Sequence, residues 1–220
     1  MRIIPVINST DFETVKRRIL LADGFLKNED RHLHLDISDG KFTPVYSLID
    51  PAALKLFLVK MNIDLRFSVH LMVKNPESHL DQWIAFGARK IVLPLEALFD
   101  PFRVATICKS RGVIPVLSIT PDTPVDELVR SARGYNNFQI LAVNPGYSGQ
   151  EFKESSISKI KALQKELPQG IIEVDGGINE KTILEIKETG AEIVDVGHYI
   201  FSDVNPADRF NHLKKIINNK

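Results

Sequence analysis

Eight short apolar runs, separated by stretches with helical periodicity, constrain the fold of this chain more than any other feature. The runs are rich in β-branched residues and read as nearly unbroken apolar segments. Strands covered on both faces have this pattern, as in parallel sheets, and alternation with helices indicates repeated βα units. The predicted strands are Ile3–Ile7, Leu33–Ile37, Phe67–Val73, Lys90–Leu95, Val113–Ile119, Phe138–Val143, Ile171–Val174 and Ile193–Val196.

Helix starts are well marked between these runs. The pairs Asp50-Pro51, Asp100-Pro101 and Thr123-Pro124 each place a side-chain acceptor at the N-cap and proline at the first helical position. Thr10 and Glu13 predict a capping box for the first helix. The regular succession of units predicts one (β/α)8 TIM barrel over residues 1–220. It favours this fold over an open doubly wound sheet, which periodicity alone does not exclude.

Composition narrows the functional classes. The chain has 220 residues, with 28 basic and 28 acidic side chains, so its charge gives no reason to expect nucleic acid or an anionic membrane as a partner. The single cysteine, Cys108, excludes an intrachain disulfide framework and fits a reducing compartment. The N-terminus becomes acidic too early for a secretory signal, and no apolar run approaches membrane-spanning length. We therefore expect a cytoplasmic protein.

Four polar residues within or at the end of these strands suggest a metal site. They are His34, Asp36, His70 and Asp175. Catalytic groups of a TIM barrel lie at the C-terminal ends of its strands, where these residues fall. Imidazole nitrogen and carboxylate oxygen bind one divalent ion, and this set suits zinc, iron, manganese or cobalt. Taken singly, a strand histidine is more often a hydrogen-bonded core residue, and a terminal aspartate is often a helix cap.

Glycines after the last three strands predict a phosphate site. The segment 144–150, NPGYSGQ, follows the sixth strand and contains Gly146, Ser148 and Gly149. Gly176 and Gly177 follow the seventh strand, while Gly197 and His198 follow the eighth. Glycines let backbone N–H groups approach an anion closely, and phosphate sites in barrels are frequent after strands seven and eight. Tight turns also need glycine, so each pair is weak evidence on its own.

Several segments, in order along nearly the whole chain, resemble the ribulose-phosphate 3-epimerase family. They are IIPVINSTDF, LHLDISDGKFTP, SVHLMVKNPE, ILAVNPGYSGQEF and IEVDGGIN. The resemblance implies that His34, Asp36, His70 and Asp175 are metal ligands and that Asp36 and Asp175 form an acid/base pair. It also places Ser9 at the family's serine position, Met72 in the apolar surround of the site, and His70 and the glycine segments near substrate. The implied assembly is a homo-oligomer.

The implied reaction is epimerisation of D-ribulose 5-phosphate to D-xylulose 5-phosphate at C3 through an enediolate, with one aspartate on each side. Some positions around the site depart from the family pattern, namely Ser38, Pro94, Leu141, Ser148 and His198. Two alternatives therefore stay open: a 3-epimerase of another ketose phosphate, such as allulose 6-phosphate, and a phosphosugar-binding barrel with little turnover. The ring of His198 either faces the phosphate or turns outward, leaving only its backbone N–H to bind.

Overall fold

The computed structural model describes residues 1–47 and 49–218 and contains a closed barrel of eight parallel strands. Each strand pairs with its neighbours in sequence, and the first strand pairs with the eighth to close the barrel. This confirms the predicted TIM barrel. The strands are β1 Arg2–Ile7, β2 His32–Ser38, β3 Arg66–Met72, β4 Lys90–Pro94, β5 Ile114–Ile119, β6 Asn137–Leu141, β7 Ile171–Asp175 and β8 Ile193–Val196.

Helices follow the strands and cover the outside of the barrel. They are α1 Phe12–Phe25, α2 Pro51–Lys60, α3 Leu80–Phe86, α4 Pro101–Ser110, α5 Val125–Ser131, α6 Ser155–Glu166, α7 Thr182–Lys187, α8 His198–Phe201 and α9 Pro206–Asn218. Two short 3-10 helices occupy Pro76–His79 and Leu95–Ala97. Across the described part of the chain, no helix combines the length and apolar character needed to cross a membrane.

The helix starts agree only in part with the sequence. Asp50 and Asp100 cap α2 and α4 as predicted, because their carboxylates accept bonds from backbone N–H groups of the first turn. The predicted capping box at Thr10 is wrong, since Asp11 caps α1 and accepts from the N–H groups of Glu13 and Thr14. Thr123 is not a cap either: its hydroxyl donates to the Glu96 carboxylate on a neighbouring loop.

Strand alternation separates two buried regions. On β2, Leu33, Leu35 and Ile37 belong to the apolar core between the barrel and its helices. The intervening residues, His34 and Asp36, are buried outside that core and meet polar side chains of other strands. Successive side chains of a strand point to opposite faces. The interior of this barrel is therefore unusually polar.

A buried ion pair crosses the interior. Lys90 on β4 donates to both carboxylate oxygens of Glu173 on β7, with a distance of 2.7 Å from Nζ to Oε2. Lys90 is 3% exposed and Glu173 is fully buried. Lys90 is the first residue of β4, and Glu173 lies two positions before Asp175, the last residue of β7. Charge is thus neutralised locally below the strand ends.

Replacing one member of this pair tests how much the interior depends on it. Glu173→Leu leaves the Lys90 ammonium buried without a counter-ion, and we expect the free energy of unfolding in urea to fall by about 3–5 kcal/mol. The double variant Lys90→Met/Glu173→Leu should recover most of that loss, because two apolar groups replace two compensated charges.

The exposed pair between Arg111 and Asp81 provides the control. Asp81→Asn should change the free energy of unfolding by less than about 1 kcal/mol. A Glu173→Leu protein as stable as wild type would show that Lys90 does not depend on Glu173.

Candidate active site

Three side chains from neighbouring strands meet inside the C-terminal half of the barrel. His34 and Asp36 lie on β2 and His70 lies on β3, and each offers a ligand atom within 4.8 Å of the other two. Asp36 Oδ1 is 3.4 Å from His34 Nε2 and 3.7 Å from His70 Nδ1. The parallel register, in which Asp36 pairs with His70, brings the two strands' inward side chains to the same level.

The chemistry of this cluster fits a divalent cation. His34 Nε2, His70 Nδ1 and Asp36 Oδ1 are buried and have no hydrogen-bond partner among the described residues. Buried polar atoms are nearly always paired, so three orphaned atoms facing one another need an explanation. Nitrogen and carboxylate oxygen are ordinary ligands for zinc and other first-row metals. A cation between these atoms would satisfy all three.

Burial and charge act differently on the two imidazoles. Burial lowers the pKa of His70 to about 3, although the negative charge of Asp36 opposes this effect. Burial alone would also lower the pKa of His34, but the carboxylates of Asp195 and Asp36 outweigh it and raise that pKa. His34 thus lies between two negative groups, in a position where a proton or a metal ion is stabilised by both.

Asp175 lies outside the three-residue cluster but lines the same cavity as Asp36. The cavity has a volume of about 550 Å³ and opens at the C-terminal ends of the strands. Burial, followed by the negative charges of Asp36 and Asp195, raises the pKa of Asp175 well above its usual range. Two carboxylates from β2 and β7 therefore face one cavity from different sides of the barrel.

Sequence reasoning missed two residues of the site, Asn8 and Asp195. Asn8 donates through Nδ2 to Asp36 Oδ2 and to the carbonyl oxygen of Gly146, at 3.0 Å in each case. Asp195 on β8 is 1% exposed and accepts a hydrogen bond from Gln139. Asn8 gives no distinctive signal in the sequence, whereas Asp195 is marked by being the single carboxylate inside the apolar run IVDVG.

The glycine segments form one wall of the cavity. It is lined by Met72 and by the predicted phosphate residues Gly146, Ser148, Gly149, Gly176, Gly177, Gly197 and His198. His198 is exposed, and its ring lies over Gly149, since a Cβ added to that glycine would lie 3.2 Å from His198 Nδ1. Ser9 lies apart from this lining, and its hydroxyl is 3.3 Å from the backbone nitrogen and oxygen of Asp11.

Comparison with known proteins decides the family. Residues 2–201 match the model described as the ribulose-phosphate 3 epimerase family. The chain belongs to this family. It is 30% identical to the ribulose-phosphate 3-epimerase of Eremothecium gossypii, over 96% of this chain and 91% of that protein. It is 29% identical to the ribulose-phosphate 3-epimerase, cytoplasmic isoform, of Oryza sativa subsp. japonica, over 98% and 94% of the two chains.

Solved structures with low sequence identity share the fold. A 3-hexulose-6-phosphate synthase from Salmonella typhimurium superposes with a TM-score of 0.70 at 15% identity, covering 99% of this chain and 98% of that one. An orotidine 5′-phosphate decarboxylase from Pyrococcus horikoshii gives 0.68 at 12% identity, covering 99% and 100%. The family match, rather than these structures, confirms the predicted enzyme class, an epimerase acting on carbohydrates.

Gly177, in the loop after β7, has a backbone conformation and a close backbone contact that both favour glycine. Its φ is +67°, and an added Cβ would lie 2.4 Å from the backbone nitrogen of Phe152. Gly177→Ala should therefore lower the free energy of unfolding by about 2 kcal/mol or more, since the left-handed backbone alone costs roughly 1–2 kcal/mol for a non-glycine residue.

Gly24 provides a matched control within α1, where an added Cβ meets nothing within 4 Å. Gly24→Ala should stabilise the protein, by up to about 1 kcal/mol, because alanine is the better helix former. Thermal unfolding of both variants checks the pair. Equal melting temperatures for the two would contradict the backbone argument.

Proposed function

We propose that this protein is a metal-dependent 3-epimerase that interconverts D-ribulose 5-phosphate and D-xylulose 5-phosphate. The observation that carries the proposal is the placing of Asp36 and Asp175 on one cavity, beside three orphaned metal-ligating atoms. Family membership supports the substrate, since relatives at about 30% identity over most of the chain are named ribulose-phosphate 3-epimerases.

His34, Asp36 and His70 would hold one divalent ion, and we propose Asp175 as a fourth ligand from the opposite side. Zinc, iron, manganese and cobalt all suit this donor set. A divalent ion held there would act as a Lewis acid and stabilise the negative charge of the enediolate. Asn8 occupies the second oxygen of Asp36 and leaves Oδ1 directed at the two histidines.

The two carboxylates perform the proton transfer. One aspartate accepts the proton from C3 of the ketose phosphate, and the C3–H bonding electrons pass into the enediolate. The other, protonated, donates its proton to C3 on the opposite face, which inverts the configuration. The pair ends with its protonation exchanged, so exchange with solvent restores the starting state. A carboxylate on each side avoids the need for one base to move between faces.

Phosphate would bind at the glycine wall. Backbone N–H groups around Gly149, Gly177 and Gly197 are available to an anion there, as in other barrels that bind phosphate after strands seven and eight. His198 adds a ring nitrogen over Gly149, which supports contact of the ring with the phosphate. Ser148 adds a hydroxyl in the same loop. This wall fixes one end of the sugar while C3 lies between the aspartates.

We also infer a cytoplasmic homo-oligomer. The rice relative is named as a cytoplasmic isoform, which supports that compartment. Exposed apolar side chains on α2 support association, since Leu56 and Val59 are 72% and 73% exposed. Surfaces of this kind are typical of protein contacts when they form contiguous patches.

Removing a ligand should remove the metal. We expect His34→Ala and His70→Ala to lower the metal content of purified protein, measured by mass spectrometry of the elements, together with activity on D-ribulose 5-phosphate. His32→Ala is a matched control, because His32 is a buried histidine of the same strand that bonds Ser68 and stands outside the cluster. Full activity of metal-free wild-type protein would contradict the proposed metal site.

Solvent exchange tests the two-carboxylate step. In deuterated water, the product should acquire deuterium at C3, because the proton delivered is not the one removed. Asp36→Asn and Asp175→Asn should each lower kcat by about 10²-fold or more, as general acid–base groups contribute about 10²–10⁴-fold.

Glu185→Gln serves as the control, since Glu185 is an exposed carboxylate on α7 at the outer part of the same cavity. Unlabelled product from the wild-type protein would instead indicate internal transfer by a single group. A parallel assay with allulose 6-phosphate distinguishes the pentulose phosphate from a hexulose phosphate as the preferred substrate.

A further inference from the structure

Asp195 is a buried carboxylate that forms no ion pair with a lysine or arginine among the described residues. It lies on β8, in register with Asp175 on β7. Its Oδ2 accepts a hydrogen bond from Gln139 Nε2 at 3.1 Å. Its Oδ1 is buried and has no hydrogen-bond partner in the described ranges, and it lies 3.7 Å from Nδ1 of His34.

His34 has an unpaired ring nitrogen that faces this oxygen. Its ring is fully buried between two carboxylates, with Nε2 directed at Asp36 and Nδ1 directed at Asp195. Nδ1, like Asp195 Oδ1, lacks a hydrogen-bond partner within residues 1–47 and 49–218. A neutral imidazole that binds a metal through one nitrogen carries its proton on the other, and that N–H usually donates to a carboxylate or carbonyl.

We propose that Asp195 is a positioning residue for the metal-binding imidazole of His34. Its Oδ1 accepts the Nδ1 proton, which fixes the tautomer whose Nε2 lone pair faces Asp36 and His70. The hydrogen bond from Gln139 restrains the carboxylate so that Oδ1 remains directed at the ring. This inference rests on the proposed metal site and adds a residue that does not itself touch the metal.

The negative charge of Asp195 also acts on Lys90, where it opposes the lowering of the lysine pKa by burial. The direct contacts of the Lys90 ammonium, however, go to the two oxygens of Glu173, at 2.7 Å for Oε2. Gln139 is neutral and satisfies only one of the two oxygens of Asp195. His34 is therefore the group that makes use of the remaining oxygen.

Metal affinity of the full-length protein gives a readout that does not depend on turnover. The apo-protein is titrated with Zn²⁺ in competition with a chromogenic chelator. Asp195→Leu should bind Zn²⁺ about 10- to 100-fold more weakly, the usual loss when the partner of a ligating histidine is removed. Asp195→Asn keeps a carbonyl oxygen that accepts a hydrogen bond and should retain most of the affinity that Asp195→Leu loses.

Glu173→Gln is the matched control, because it makes the same carboxylate-to-amide change inside the barrel without facing His34. Its Zn²⁺ affinity should stay within about threefold of wild type, well inside the 10-fold loss that marks a partner of the ligand. A similar loss of Zn²⁺ affinity in Glu173→Gln and Asp195→Leu would indicate a nonspecific disturbance of the barrel interior and would overturn the proposal. If Asp195→Leu does not fold, the comparison is made with Asp195→Asn. Zn²⁺ binding by Asp195→Asn that is more than 10-fold weaker than binding by Glu173→Gln would also overturn the proposal.

The tautomer provides a second readout. In ¹⁵N-histidine spectra recorded at a pH where the ring is neutral, His34 of the wild-type apo-protein should carry its proton on Nδ1, and Asp195→Leu should shift this proton population toward Nε2. Unchanged affinity and an unchanged His34 tautomer in Asp195→Leu would overturn the proposal while leaving the metal site intact. Failure of the wild-type protein to bind Zn²⁺ would instead refute the proposed metal site itself.

Discussion

The closed barrel encloses imidazoles and carboxylates where water cannot satisfy them, and the other features of the site follow from that constraint. A charge or polar atom transferred from water to a protein interior is costly unless it is paired. The pairing of β1 with β8 leaves the interior no open edge, and alternation along each strand directs every second side chain inward. Polar residues at those positions must therefore find partners among themselves or in a bound ion.

This barrel resolves the constraint in two ways at two levels. Toward the N-terminal ends of the strands, Lys90 and Glu173 neutralise one another directly. Near the C-terminal ends, Asp36 and the two histidines are left with ligand atoms facing each other and no hydrogen-bond partner in the described part of the chain. The lower level is paired without further ligands, whereas we propose that a cation completes the upper level. We therefore assign a structural role to Lys90 and Glu173, and a role in the proposed reaction to the cluster of Asp36 and the two histidines.

The sequence predicted the barrel, and of the four predicted ligands His34, Asp36 and His70 lie together in one cluster. Apolar runs predict strands because burial on both faces leaves no polar alternation, and residues two apart on β2 must share the interior face. Details set by competition between neighbouring groups were less predictable. Thr10 and Asp11 are both good caps, and only the backbone conformation at Asp11 decides between them. Asn8 and Asp195 acquire a role only when the closed barrel places β1 between β2 and β8, which no local pattern records.

Anomalous diffraction at the zinc absorption edge, recorded from crystals grown with Zn²⁺, would locate the proposed ion. We expect one strong peak inside the barrel, about 2.0–2.2 Å from His34 Nε2, Asp36 Oδ1 and His70 Nδ1. The absence of density between these three atoms, or a peak bound only by exposed residues of the surface, would contradict the proposed metal site.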